Sequence, residues 1–375
     1  MPTAAGTSSA QAAPAITAVQ AYDAVRSYLE LASQGDLADA YDLWAPAWRA
    51  QHPYPAWAAA APVPAGASYE VGASVAAGGG EWSVPFRIGI GTAAGVRWAD
   101  GTYTVAGADG GARLEAGGPA PPAPPLDLQA LGVPAGGGGG VSGDADCAGY
   151  SVAWSATPGP GPAAGWTSHL SITAPDGKPV PAPALAPFSF GSTPTACGDF
   201  FGDGGEEIVI TSATTTSGAY RQAFVYRLAG TSPPVLLGQI SSVGDPADPR
   251  PVSPDGLYPY LMVASAEIDT VAGAPILAPV YWAYDGVLYR NATSELPGIL
   301  RADLQANLAA LAGGAAACHP LPSCAAPDLL GAYYDQEELG EKGSGLPALQ
   351  ALLPAGDRSW LAGQAAIVDY VVRSP

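Results

Sequence analysis

Basic residues are scarce in this chain. Lysine occurs only at Lys178 and Lys342, and Lys plus Arg total 14 against 33 Asp plus Glu, a formal charge of −19. A sparse, negative surface repels phosphate backbones and anionic lipid, so nucleic acid is not an expected partner. Charged residues make up only 13% of the chain, about half the usual share. No run approaches the ~18 consecutive apolar residues that mark a transmembrane helix. The 3 histidines are scattered and form no evident metal triad. Glycine (49) and proline (39) are abundant, but glycine follows no three-residue period, which excludes collagen. The 48% apolar content excludes wholesale disorder. At 375 residues there is room for about two or three domains with sizeable cores.

The first ten residues carry neither a basic stretch nor an apolar segment, so no signal peptide is visible. Residues 1–14 are uncharged and rich in Ala, Ser, Thr and Pro, which predicts a flexible tether of the kind left when an export or lipoprotein leader is cut away. The cysteines point the same way, since disulfides belong to oxidising compartments. Local spacing among Cys147, Cys197, Cys318 and Cys324 suggests the pairs Cys147–Cys197 and Cys318–Cys324, although four cysteines allow three connectivities. His319 sits inside the short Cys318–Cys324 segment and raises the question of zinc. A tetrahedral site needs more nitrogen or sulfur ligands than lie nearby, so a disulfide-closed, Pro-rich loop is the expectation.

From Ala15 the apolar spacing is helical, with Ile16, Val19, Tyr22, Val25, Leu29 and Ala32 on one stripe. Gly35 stands where a helix-ending glycine belongs and Asp36 where the next helix would be capped. Leu37, Tyr41, Trp44 and Trp48 mark that second helix, and Trp57 a short third. After Gly66 the period becomes two, and strands are expected around Tyr69–Val75, Glu81–Ile90 and Gly95–Val105. Residues 118–143 are Pro-rich, then Gly-rich, and predict a linker. Residues 144–292 hold eight short β patterns broken by Gly, Pro and Asp, as in a sandwich, barrel or incomplete propeller. Helical spacing returns over 293–375. The expected class is thus an α+β multidomain protein. Its N-terminal helices precede a curved antiparallel sheet, and a mainly β domain follows with a C-terminal helical cap.

Two segments resemble known families. Helices followed by a sheet over 15–117, with Ala24-Val25-Arg26-Ser27-Tyr28-Leu29-Glu30 and then Gly35-Asp36-Leu37-Ala38-Asp39-Ala40-Tyr41, resemble the nuclear transport factor two-like (SnoaL-like) cone superfamily. That likeness implies a fold and says little about activity, because the superfamily holds isomerases, cyclases and non-catalytic modules. The segment Asp199-Phe200-Phe201-Gly202-Asp203-Gly204-Gly205-Glu206-Glu207, running into an apolar strand, resembles the FG-GAP (VCBS-like) calcium loop. The resemblance implies side-chain ligands at Asp199, Asp203 and Glu207 and a main-chain ligand at Gly205, with calcium as the cation. The pattern departs at Phe201, where the family carries Asp or Asn, which removes one ligand.

No constellation announces catalysis. His52, Asp39, Asp42 and Tyr41 stand where a cone enzyme could carry an acid or base, yet no pair among them is placed to tune a proton-transfer group. Ser142 lacks the second glycine of a nucleophile elbow, Ser344 follows no strand, and Gly89–Gly95 misses dinucleotide-loop spacing. Tyr260, Trp282 and Tyr284 form an aromatic set suited to a sugar or a protein partner, with Trp282 and Tyr284 on one sheet face. The function expected is an exported, envelope-tethered bacterial binding or assembly module without catalytic activity, its partner a protein or envelope component. A secreted enzyme using the cone pocket and a calcium-stabilised, adhesin-like protein are the alternatives.

Overall fold

A computed structural model describes residues 15–60, 63–92, 95–128, 133–135, 140–159, 166–183, 192–213, 220–244, 249–271, 274–314, 325–341 and 345–373. The chain divides into two compact units, Met1–Gly91 with Val96–Pro122, and Thr92–Gly95 with Ala123–Pro375. Helices and antiparallel sheets occur in both, so the class is α+β.

The first unit opens on the helix Ala18–Gln34. Thr17 caps it: its hydroxyl accepts the Gln20 N–H at 3.3 Å while Gln20 Oε1 accepts the Thr17 N–H at 2.9 Å, which satisfies two otherwise orphaned donors. Gly35 ends it at φ +85°, a left-handed conformation that costs a residue without a β-carbon little. The buried stripe is Ala21, Ala24, Val25, Tyr28, Leu29 and Ala32. Val19, expected inside, is 67% exposed. The inward face turns instead on Tyr28, whose ring meets Trp44 at 5.7 Å and Tyr103 at 5.2 Å, edge to face. Short helices Leu37–Asp42, Pro46–Gln51 and Tyr54–Ala60 follow. The sheet runs in the order Ser68–Val71, Glu81–Thr92, Gly95–Ala108, Gly111–Pro119, with Val75–Gly78 also paired to Glu81–Thr92. Phe86 stacks on Tyr103 at 4.5 Å, so aromatic rings occupy the space between helices and sheet.

In the second unit two sheets share one core. The first runs Pro179–Val180, Trp166–Thr173, Tyr150–Pro158, Gly140–Cys147, Val133–Ala135; the second runs Ser232–Val243, Tyr220–Ala229, Glu206–Ala213, Ser192–Gly198, Leu126–Asp127. Val152, Trp154 and Ile172 meet Ile208, Ile210 and Leu228 between them. Cys147 and Cys197 join across this core in a disulfide, their Cα atoms 6.0 Å apart. Cys318 and Cys324, with His319, lie outside the described residues.

The segment expected as linker, 118–143, differs from that expectation by contributing strand. Leu126–Asp127 and Val133–Ala135 are sheet edges, the positions in a sheet where proline is tolerated. Gly143 lets Trp154 close in, since a β-carbon at 143 would lie 2.4 Å from the indole.

A third sheet, Arg250–Val252, Leu261–Val271, Ala274–Tyr284, Tyr289–Asn291, carries the helices Pro297–Gly314, Ala326–Glu338, Gly345–Ala351 and Ala355–Arg373. Leu329, Leu330 and Tyr333 bury against Ile268 and Ile276, together with Leu361 and Val368. The β-rich segment 144–292 and the helical segment 293–375 belong to the same compact unit. Paired substitution of Cys147 and Cys197 by Ser should lower the urea-unfolding free energy of that unit by about 4 kcal/mol, the chain-entropy value for a loop of this length. A loss below ~1 kcal/mol would contradict a clamp that acts on the unfolded chain.

Candidate functional site

The Ser192–Gly198 strand runs into the acidic loop, where one carboxylate gathers the backbone into a tight turn. Asp199 Oδ1 accepts the N–H of Phe201, Gly202 and Asp203 at 3.1, 2.6 and 3.3 Å, and Oδ2 accepts that of Gly204 at 2.8 Å. Gly202 and Gly204 stand at φ +71° and +76°, as so tight a wrap requires. The chain then enters the Glu206–Ala213 strand, whose neighbour sets Arg227 opposite Glu207.

Arg227 closes the loop. Its Nη2 donates to Asp203 Oδ1 at 2.5 Å and its Nε lies 3.4 Å from Glu207 Oε1. The guanidinium carbon stands 5.5 Å from the centre of the Phe201 ring, within cation–π range. A β-carbon at Gly205 would lie 1.9 Å from Nη2, so only glycine admits the guanidinium there. Glu207 is wholly buried, and its Oε2 accepts the Phe200 N–H at 2.8 Å.

These residues do not fit a calcium ion. Both Asp199 oxygens are engaged with the loop's own N–H groups, and a guanidinium stands between Asp203 and Glu207, where a cation would have to sit. Among the described residues no group of three or more His, Cys, Asp or Glu is arranged to hold a metal. Phe201 takes part in the closure: its ring packs on Tyr284 at 4.7 Å and on Tyr289 at 6.4 Å. Phe200 points inward, fully buried, and its carbonyl accepts the Tyr260 N–H at 2.6 Å.

The aromatic set expected as one binding surface is therefore divided. Tyr260 is core, 5% exposed, with its hydroxyl donating to the Ala123 carbonyl at 2.9 Å. Trp282 and Tyr284 are half-buried at alternate positions of one strand, and Tyr284 is tied to Phe201. In the first unit, His52 stacks on Trp48 at 4.0 Å and Asp42 pairs with Arg49 at 2.5 Å. Tyr41 donates to the His52 carbonyl at 2.6 Å. Each serves its helix turn. Ser142 lies on a strand, and Ser344 falls outside the described residues.

Among the described residues, two of the hollows have the size of small-ligand sites. One, about 690 Å³, lies on the first unit beside the Arg87–Asp100 ion pair at 3.1 Å. The other, about 620 Å³, lies in the second unit between Pro254 and Asp255, Tyr281, and the turn and helix from Glu295 to Asp303. Leu296, Ile299 and Ala302 give this second hollow apolar walls. Tyr281 Oη donates to Asp303 Oδ2 at 3.3 Å, and Arg290 grips Glu295 with two contacts of 2.6 and 2.9 Å. Neither hollow, nor the role of Arg227, is announced by a local sequence pattern. Compared with known proteins, the chain matches no family model, no curated protein and no solved structure.

The carboxylates of Glu206, half-buried, and Glu207, wholly buried, titrate late. Burial, then the charges of Asp199 and Asp146, push Glu206 up to about 7. Burial pushes Glu207 up to about 8, against the opposing pull of the Phe200 N–H and Arg227. An acid whose pKa rises on folding keeps protons that the unfolded chain has released, so its contribution to stability falls as pH climbs from the ordinary 4.5 toward 8. A Glu206→Gln/Glu207→Gln double variant should lose that decline, gaining on the native protein steadily across this window in chemical unfolding. A stability difference independent of pH would contradict the burial of these acids.

Proposed function

We propose that the chain is an exported binding or assembly module without catalytic activity, and that the hollow beside Tyr281 is its ligand site. The hollow carries the proposal: it has apolar walls, few polar groups, and a volume suited to a small molecule or a side chain of a partner. The Cys147–Cys197 disulfide is compatible with an oxidising compartment. No helix among the described residues is long and apolar enough to cross a membrane. The closure of the acidic loop by Arg227 weighs against the calcium-stabilised alternative. Mapping a small-fragment library by protein NMR on the full chain tests the proposal. Fragments should perturb Tyr281 and the Leu296–Asp303 segment and be recovered unchanged. Perturbations confined to the first unit, or a fragment consumed with turnover, would contradict it.

A further inference from the structure

The polar groups around this hollow differ in how well they are satisfied. Glu295 is neutralised by its two contacts with Arg290. Asp303 is held by the long Tyr281 hydroxyl contact, 3.3 Å, and burial raises its pKa. Behind Tyr281 lies Asp335, 1% exposed, which accepts one amide N–H from Asn307 at 2.9 Å and whose charge is felt by Tyr281. Asp255 also lines the hollow. Among the described residues, Arg250 acts on Tyr281 and Arg290 on Glu295, and the carboxylates Asp255, Glu295, Asp303 and Asp335 outnumber these two cations.

The helix that begins at the hollow does little to favour an anion. Pro297, its first residue, has no N–H, and the N–H groups of Ile299 and Leu300 are already taken by the Leu296 carbonyl at 3.0 and 3.1 Å. An anion-binding helix start needs free donors, and Gly298 is the one position of that first turn with an N–H left over. Apolar walls with a half-buried carboxylate among them call for a ligand that is greasy along its length and positive at its tip.

We propose that the hollow takes an apolar chain ending in an ammonium or guanidinium, its head against Asp303 and its body against Leu296, Ile299 and Ala302. The inference rests on the reading of the hollow as the ligand site. The head group competes at Asp303 with the Tyr281 hydroxyl, which can turn to share the carboxylate. A free alkylamine and the side chain of a Lys or Arg in a peptide offer the same chemistry.

Titration of the full chain by NMR with hexylamine, hexanol and hexanoate, three probes of similar length, tests the charge preference. Hexylamine should bind at least about tenfold tighter than hexanol, the worth of one charge-assisted hydrogen bond, and hexanoate weakest. Asp303→Asn should bring hexylamine down to the hexanol level while leaving hexanol binding intact, which also shows that the variant is folded. A capped tripeptide with a central Lys, set against its norleucine twin, separates the sources: a stronger Lys preference than that of the free amine identifies a peptide ligand, and a weaker one a small amine. Equal binding of hexylamine and hexanol, or an Asp303→Asn variant that keeps the preference, would overturn the cationic head alone. No binding of any probe, with Ala302→Trp also without effect on the fragment-perturbed resonances, would overturn the ligand site itself.

Discussion

The acidic loop of the second unit poses one electrostatic problem, and its geometry is the solution. Asp199, Asp203, Glu206 and Glu207 lie within nine residues, and Glu207 is removed entirely from water. Like charges held together in a medium of low dielectric must be neutralised by protons or by a cation. Here both occur. Burial holds Glu206 and Glu207 partly protonated near neutral pH, and the guanidinium of Arg227 spans Asp203 and Glu207. A planar, permanently charged group with several donors suits this place better than a lysine, which would offer a single point charge.

The loop so closed organises its surroundings through its two phenylalanines. Phe200 passes its carbonyl to the Tyr260 N–H, and Tyr260 passes its hydroxyl to Ala123, so the third sheet and the start of the unit are tied to the loop by hydrogen bonds in its interior. Phe201 lies between the guanidinium and the rings of Tyr284 and Tyr289. The disulfide at Cys197 fixes the strand that enters the loop. This leaves the third sheet and the first turn of its helix as the frame of the hollow beside Tyr281.

Much of this was legible where the signal is local. The helix ending at Gly35 and the Cys147–Cys197 pair depend on neighbours in sequence or on scarce residues, and they stand as expected. The loop's tight shape was readable from its glycines and Asp199. Its cation was not, because Arg227 comes from another strand and meets Glu207 only through sheet register, which no local pattern states. Tyr260 illustrates a second limit: an aromatic strand residue carries the same signal whether it faces solvent or core, and only the partners of its N–H and hydroxyl decide. The 118–143 segment shows a third, since edge strands tolerate the Pro and Gly that argue against strand elsewhere.

The central claim, that Arg227 does for this loop what a divalent cation would otherwise have to do, is tested most directly by thermal unfolding in calcium and in EDTA. The account predicts one melting temperature for the native protein in both, and a loss of about 2 kcal/mol in Arg227→Gln, because the wholly buried Glu207 and the exposed Asp203 lose the guanidinium that spans them. A native protein that melts several degrees higher in millimolar calcium, with Arg227→Gln unchanged, would contradict it.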